Sequence, residues 1–265
     1  MENHSRAIKI NKYRDGESNS IEDFVAVEEP LEIRIENRSI AIVMRTPGHD
    51  QELTAGFLLS EGAIKNSKEI FEISECINQS KDDKEIGNYV DVILTDNSNF
   101  NFENLTRHVF TSSSCGVCGK ATLESVMTEF EKIKKTKKIS PEKILKLPEK
   151  LLLAQETFKK TGGLHASALF DENGEIVIIR EDVGRHNALD KVIGYALLNN
   201  MLPLQNHILL LSGRISFELM QKSLAAEIPT IAGISAPSSL AVDFAKESGQ
   251  NLIGFLRENT MNIYT

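Results

Sequence analysis

Cysteine is scarce in this chain, with three among 265 residues. Thiols so few, and odd in number, exclude a disulfide framework and predict a reducing, cytoplasmic setting. Long apolar runs are missing too. None approaches the ~20 residues that cross a bilayer, and the stretch from Met1 to Arg14 is polar, without the apolar core of a signal peptide. No membrane association is expected. Positive charge is in deficit, since 30 Lys and Arg stand against 38 Asp and Glu for a net −8. A general nucleic-acid binder needs a basic surface to meet phosphates, so nucleic acid is not an expected partner. The chain also lacks a P-loop, a Gly-x-Gly-x-x-Gly after a strand, a second Cys-x-x-Cys and any internal repeat. The standard dinucleotide signature is therefore absent.

What is present suits a globular protein with a sizeable core, at 41% hydrophobic and 26% charged residues. The pattern predicts a polar, frayed tail over 1–20, a smaller β-rich α+β part over 21–110 and an α/β domain over 111–265. From Phe24 to Thr46, Val25, Val27, Leu31, Ile33, Ile35, Ile40, Ile42 and Met44 alternate with polar residues, which predicts strands, with a turn at Asn37-Arg38-Ser39. Asp50 is an expected N-cap for a helix that Gly62 stops. Short strands are expected near Ile70–Ser74 and Tyr89–Leu94, and a helix from Lys120 to about Lys132. Lys132, Lys134, Lys135, Lys137 and Lys138 read as a solvated helix end leading into a connection through Ser140-Pro141, or as a docking surface for an acidic partner. Pro148 opens a helix with Leu151, Gln155 and Phe158 on one stripe. Beyond Gly163, apolar strands alternate with amphipathic helices, which implies a layered α/β domain with part of its sheet parallel.

Ligands of open α/β sheets bind where strands give way to helices. Three such turns are chemically unusual: Arg180-Glu181-Asp182-Val183-Gly184-Arg185-His186-Asn187, Ser212-Gly213-Arg214 and Ser235-Ala236-Pro237-Ser238-Ser239. Helix N-termini there suit an anion, and Gly213 allows close backbone approach. Ser238 or Ser239 is equally explained as a plain N-cap. His165, after Gly162-Gly163, is a candidate acid/base or metal ligand, or a structural histidine.

The densest chemistry lies in Thr111-Ser112-Ser113-Ser114-Cys115-Gly116-Val117-Cys118-Gly119-Lys120. Lys120 and a following helix would lower the thiol pKa values and favour the nucleophilic thiolate. A zinc site would need further ligands such as Cys76, His108 or His165. The flanking order does not suit a thioredoxin motif. A zinc nucleobase deaminase would need His-x-Glu before Pro-Cys-x-x-Cys, and here the cysteines come first. Persulfide transfer needs only an accessible low-pKa thiol and a second thiol for relay. Sulfur carriage, dithiol exchange and metal binding all stay open on the residues alone.

Ser113–Lys120, Thr161–Ala166, Arg180–Lys191 and Ser212-Gly213-Arg214-Ile215-Ser216 together resemble the FdhD family, and Ser235–Val242 extends the likeness across roughly residues 25 to 265. The resemblance implies a cytoplasmic, homodimeric sulfurtransferase with a larger domain similar to cytidine deaminases. It implies that sulfane sulfur is taken from a cysteine desulfurase and passed to Mo-bis(molybdopterin guanine dinucleotide), or its tungsten counterpart, to activate formate dehydrogenase. Cys115 matches the persulfide-bearing position and Cys118 its partner in relay or release. The family's cofactor-binding segment falls on Phe255, Leu256, Arg257, Glu258, Asn259 and Thr260, with GDP a partial mimic of the ligand. Arg214, Arg185 and Arg257 are expected phosphate contacts and Ser235 a further contact; Asp182 or Glu258 could bond guanine or ribose. A cofactor-binding chaperone whose cysteines only ligate metal transiently is the alternative, and a structural zinc module a third.

Overall fold

The computed structural model describes residues 4–77, 88–95, 102, 130–134 and 139–265. The thiol loop, His108, most of the expected helix from Lys120 to about Lys132, most of the lysine cluster and the expected boundary at 110/111 lie outside the described residues.

From Ser5 onward the expected frayed tail is instead a β-ribbon, which corrects the reading over residues 5–20. Ser5–Arg14 (β1) and Glu17–Ala26 (β2) pair antiparallel along their whole length. Asp15 and Gly16 both have positive φ, 54° and 90°, the geometry that an Asp-Gly hairpin turn supplies. Composition misled here because both faces of the ribbon are largely exposed, so its order comes from the turn and the ladder rather than from burial. Lys160, whose ammonium lies 4.0 Å from the centre of the Phe24 ring, ties the ribbon to the body.

Glu29–Ile35 (β3), Arg38–Arg45 (β4), Ile70–Ile77 (β5) and Asn88–Leu94 (β6) form a sheet in the order β4-β3-β6-β5. The β3–β4 turn is Glu36-Asn37, with φ of 50° and 63°, one residue earlier than expected, and Arg38 already belongs to β4. Asp50–Ser60 (α1) follows. His49, in the left-handed region, takes the N-cap position expected of Asp50. Asp50 is buried instead against Arg45, which donates to its two carboxylate oxygens at 2.9 and 2.7 Å.

Pro141–Ile144 (α2) precedes the position where one helix from Pro148 is expected; that helix is instead two, Leu147–Ala154 (α3) and Glu156–Thr161 (α4), broken at Gln155. Pro141–Ile144 replaces part of the expected connection, with proline at the helix start where its missing N–H costs nothing. His165–Phe170 (β7), Ile176–Asp182 (β8), Arg185–Leu198 (α5), Ile208–Leu211 (β9), Phe217–Ala225 (α6), Thr230–Gly233 (β10), Ser239–Ser248 (α7), Asn251–Gly254 (β11) and Asn262–Ile263 (β12) complete the chain. The sheet runs β12-β11-β10-β9-β7-β8. Strands β9, β10 and β11 are parallel, as the alternation of apolar strands with helices predicts, while β7 is antiparallel to both neighbours. The fold is thus mixed α/β.

Helix α1 crosses α5 at Gly56 and Gly194, so near that no side chain fits between the backbones. Leu31, Ile33 and Val90 of the four-stranded sheet consequently share one core with Leu189, Ile193 and Phe244 of the larger unit. No helix among the described residues is long and apolar enough to cross a membrane.

Candidate functional site

The parallel strands β9, β10 and β11 all deliver their carboxyl ends to one edge, and the start of antiparallel β7 arrives beside them. A cleft of about 640 Å³ opens at this edge. Its apolar wall includes Leu151, Leu152, Phe158, Leu164, Ile234 and Leu256; His165, Ser212, Arg257 and Glu258 are among its polar residues. An apolar slot with a few polar groups is the usual form of a small-molecule site.

Main-chain bonds lock the turns to one another. Ile215 donates to the Ala236 carbonyl at 3.1 Å, and Ser238 returns a bond to Ile215 at 2.9 Å. Phe255 donates to the Ser235 carbonyl at 3.1 Å and Leu256 to Gly233 at 3.0 Å. The segment after β11 is thereby held against the turn after β10. Ser238 is a plain N-cap, its hydroxyl accepting from Ala241 at 3.2 Å. Ser235 reaches the site through its main chain and does not line the cleft.

Of the six residues expected at the cofactor, Leu256, Arg257 and Glu258 line the cleft. Leu256 is fully buried and belongs to the core as much as to the site. Phe255, Asn259 and Thr260 are exposed outside the lining, and the Thr260 carbonyl accepts from the Arg257 N–H at 2.8 Å to close the turn. The Arg257 guanidinium is anchored through Nη1 on the carbonyls of Ile234 and Leu256. Its other donors make no hydrogen bond among the described residues.

Arg185 and Arg214 do not line the cleft, but both bear on His165. Burial first, then these two guanidiniums, hold its imidazole below the usual histidine range, with Asp182 opposing. His165 therefore enters the cleft neutral at pH 7, able to accept as well as donate. A Cβ on Gly213 would lie 3.1 Å from its Nδ1, so glycine there leaves room for the ring. The Nε of Arg185 is buried with no hydrogen-bond partner, and neither arginine forms an ion pair among the described residues.

The remaining charges of the β8–α5 crossing are structural. Asp182 is fully buried: one carboxylate oxygen takes Lys191 at 2.7 Å and the Thr46 N–H at 3.1 Å. The other accepts from Gly184 at 2.8 Å and Asn187 at 3.0 Å. No oxygen is open for guanine or ribose, which corrects the expectation for Asp182. Arg180 pairs with Glu52 through two bonds of 2.6 and 2.7 Å. Glu181 accepts from the Thr157 and Phe158 N–H groups at 2.9 and 2.8 Å, capping α4 from a distance.

His186 faces away, into a cavity of about 190 Å³ shared with Glu61, Asp190, Glu218 and Lys222. Burial, then Lys222 and Arg185, push its pKa down to about 4. The Lys222 ammonium is met by Ser60 at 2.8 Å, Glu61 at 2.9 Å and Asp190 at 3.0 Å, which leaves it a structural anchor. Among the described residues no group of three or more His, Cys, Asp and Glu could hold a metal. The α3–α4 wall of the cleft escaped the sequence reading because its stripe resembles that of any amphipathic helix.

Fold and cleft together define an α/β protein with a cleft at the carboxyl edge of a partly parallel sheet. Residues 26–265 match the model of the FdhD/NarQ family, and the chain belongs to that family. It is 48% identical over 259 residues to the sulfur carrier protein FdhD of Streptomyces coelicolor, covering 97% of this chain and 92% of that one. The sulfur carrier protein FdhD of Sulfolobus acidocaldarius is 46% identical over 98% of this chain and 96% of its own. A crystal structure from Desulfotalea psychrophila, described as a formate dehydrogenase accessory protein, superposes with a TM-score of 0.77 at 27% identity, covering 99% of this chain and 97% of that one.

Proposed function

We propose that this chain is a sulfur carrier for the maturation of formate dehydrogenase. In this reading Cys115 takes sulfane sulfur from a cysteine desulfurase as a persulfide. Its substrate is Mo-bis(molybdopterin guanine dinucleotide), or the tungsten equivalent, bound with a guanine nucleotide end in the cleft. Cys118 attacks the Sγ of Cys115, forming a disulfide and expelling hydrosulfide toward the metal, or takes the persulfide over in relay. A cellular dithiol then reduces any disulfide formed. Such a sulfurtransferase works in the cytoplasm as a homodimer, with a larger domain similar to cytidine deaminases; the mixed sheet, parallel over β9–β11 and antiparallel at β7, agrees with that likeness.

The observation that carries the reading is the cleft itself. It joins an apolar wall to Arg257 and to His165, with Arg185 and Arg214 behind that histidine, in a chain whose relatives are named sulfur carriers. An apolar slot beside cations that form no ion pair among the described residues suits a heterocycle bearing phosphates.

The test is incubation with a cysteine desulfurase and cysteine, followed by intact-mass measurement. One added sulfur atom is expected on the wild type and none on Cys115→Ala; equal adducts on both remove Cys115 from the role. A Cys115→Ser variant that still activates formate dehydrogenase would instead support a cofactor-binding chaperone.

A further inference from the structure

Gln155 stands where the expected continuous helix is broken, between α3 and α4, with φ −79° and ψ 84°. It lines the cleft yet is only 4% exposed. Its main chain is engaged on both sides: the N–H donates to Leu151 at 3.1 Å and the carbonyl accepts from Lys159 at 3.2 Å. A polar residue in this position ordinarily caps the helix that follows, its side chain taking first-turn N–H groups. Glu181 already does that for α4. Gln155 makes no cap bond, and its Nε2 is buried without a hydrogen-bond partner. Unpartnered buried donors are costly and rare, and one on a ligand cleft is ready for an acceptor that arrives with the ligand.

The surroundings define that acceptor. Leu151, Leu152, Phe158 and Leu164 offer apolar surface to a flat ring, and Arg257 offers a cation at one side. The carboxamide nitrogen is the buried atom that lacks a partner, so the ring atom that satisfies it must carry lone pairs, and a ring carbonyl does so well. We infer that Gln155 is a specificity-determining residue of the cleft, donating Nε2–H to the ring carbonyl of a planar heterocycle. This rests on the reading of the cleft as the cofactor site. Guanine and pterin both carry such a carbonyl, and the proposed substrate contains both. Adenine presents an amino donor at the equivalent position and would set donor against donor.

Calorimetric titration of the full chain with GDP, ADP and free pterin tests the assignment. GDP or pterin is expected to bind more tightly than ADP. Gln155→Leu, which keeps bulk and removes the amide, should weaken that carbonyl ligand roughly tenfold or more and leave ADP little changed. Its melting temperature should match the wild type, because Nε2 holds nothing in the fold. Gln155→Glu keeps the shape without the donor and should weaken the same ligand. The ligand that depends on Gln155 reports which end of the substrate the cleft seats. Full affinity for GDP or pterin in both variants, or a preference over ADP that persists in them, overturns the inference and leaves the cofactor reading standing. If the wild type binds neither GDP nor pterin, the cofactor reading fails and the inference falls with it.

Discussion

Gly56 and Gly194 bring the backbones of α1 and α5 into direct contact. A Cβ on Gly56 would lie 1.8 Å from the Asp190 carbonyl oxygen, and one on Gly194 would lie 1.7 Å from that of Glu52. The obstacles are main chain on both sides, so relaxation means separating two helices that unite the two sheets. Either glycine changed to alanine should destabilise the fold by about 3 kcal/mol or more, beyond what its gain in helix propensity returns. Urea unfolding checks this, and a variant as stable as the wild type would refute the tight crossing.

Asp182 and Lys191 form an ion pair buried from solvent on both sides, 0% and 1% exposed. Lys191 also donates to the Thr46 carbonyl at 2.8 Å. Removing one partner leaves the other charged and dry, a loss of about 3–5 kcal/mol. Asp182→Ala should therefore lower stability by that order in denaturant melts. Combining it with Lys191→Met should recover part of the loss, since no lone charge then remains.

His186 sets a slope of stability with pH. Its folded pKa of about 4 lies below the value near 6.5 expected when unfolded. Between these values the unfolded chain binds the extra proton, so stability is complete above about pH 6.5 and declines as pH falls toward 4. His165 and His207, whose pKa values burial also lowers, act in the same direction. Asp190, whose carboxyl burial pushes up to about 6, acts in the opposite direction, so the check is a comparison. Urea midpoints from pH 7 to pH 4.5 should fall more steeply in the wild type than in His186→Gln, by about 2 kcal/mol once partial solvation of the ring is allowed for.

Gly213→Ala tests the site without attacking the core. The added methyl would meet His165 Nδ1 at 3.1 Å, a crowding that the imidazole can relieve by moving a few tenths of an ångström. Melting should change little, whereas GDP affinity should fall severalfold as His165 shifts in the cleft. Unchanged affinity would show that the His165 position does not matter to the ligand.

Much of the larger unit was legible because its signals are local. Ile208–Leu211 is a continuous apolar run, and the apolar periodicity within Arg185–Leu198 marks a helix, although the structure buries it nearly all round from Ala188 to Gly194. The N-terminal ribbon was not legible from composition, although its Asp15-Gly16 turn was there to be read. The break at Gln155 escaped as well: the stripe Leu151, Gln155, Phe158 fits an unbroken helix, and only contact with Glu181 from β8 accounts for a separate start to α4.

The sequence by itself determined the α/β class, the succession of strands and helices and the turns where a ligand could bind, because periodicity and turn chemistry act over a few residues. Tertiary structure alone decided which charges of those turns are available. Arg180 meets Glu52 across 128 residues, and Asp182 meets Thr46 across 136. Burial and pairing depend on partners that are distant along the chain. Five ionisable side chains close together in sequence thus separate into three that hold the fold, one that stands behind the cleft and one that turns into a different cavity.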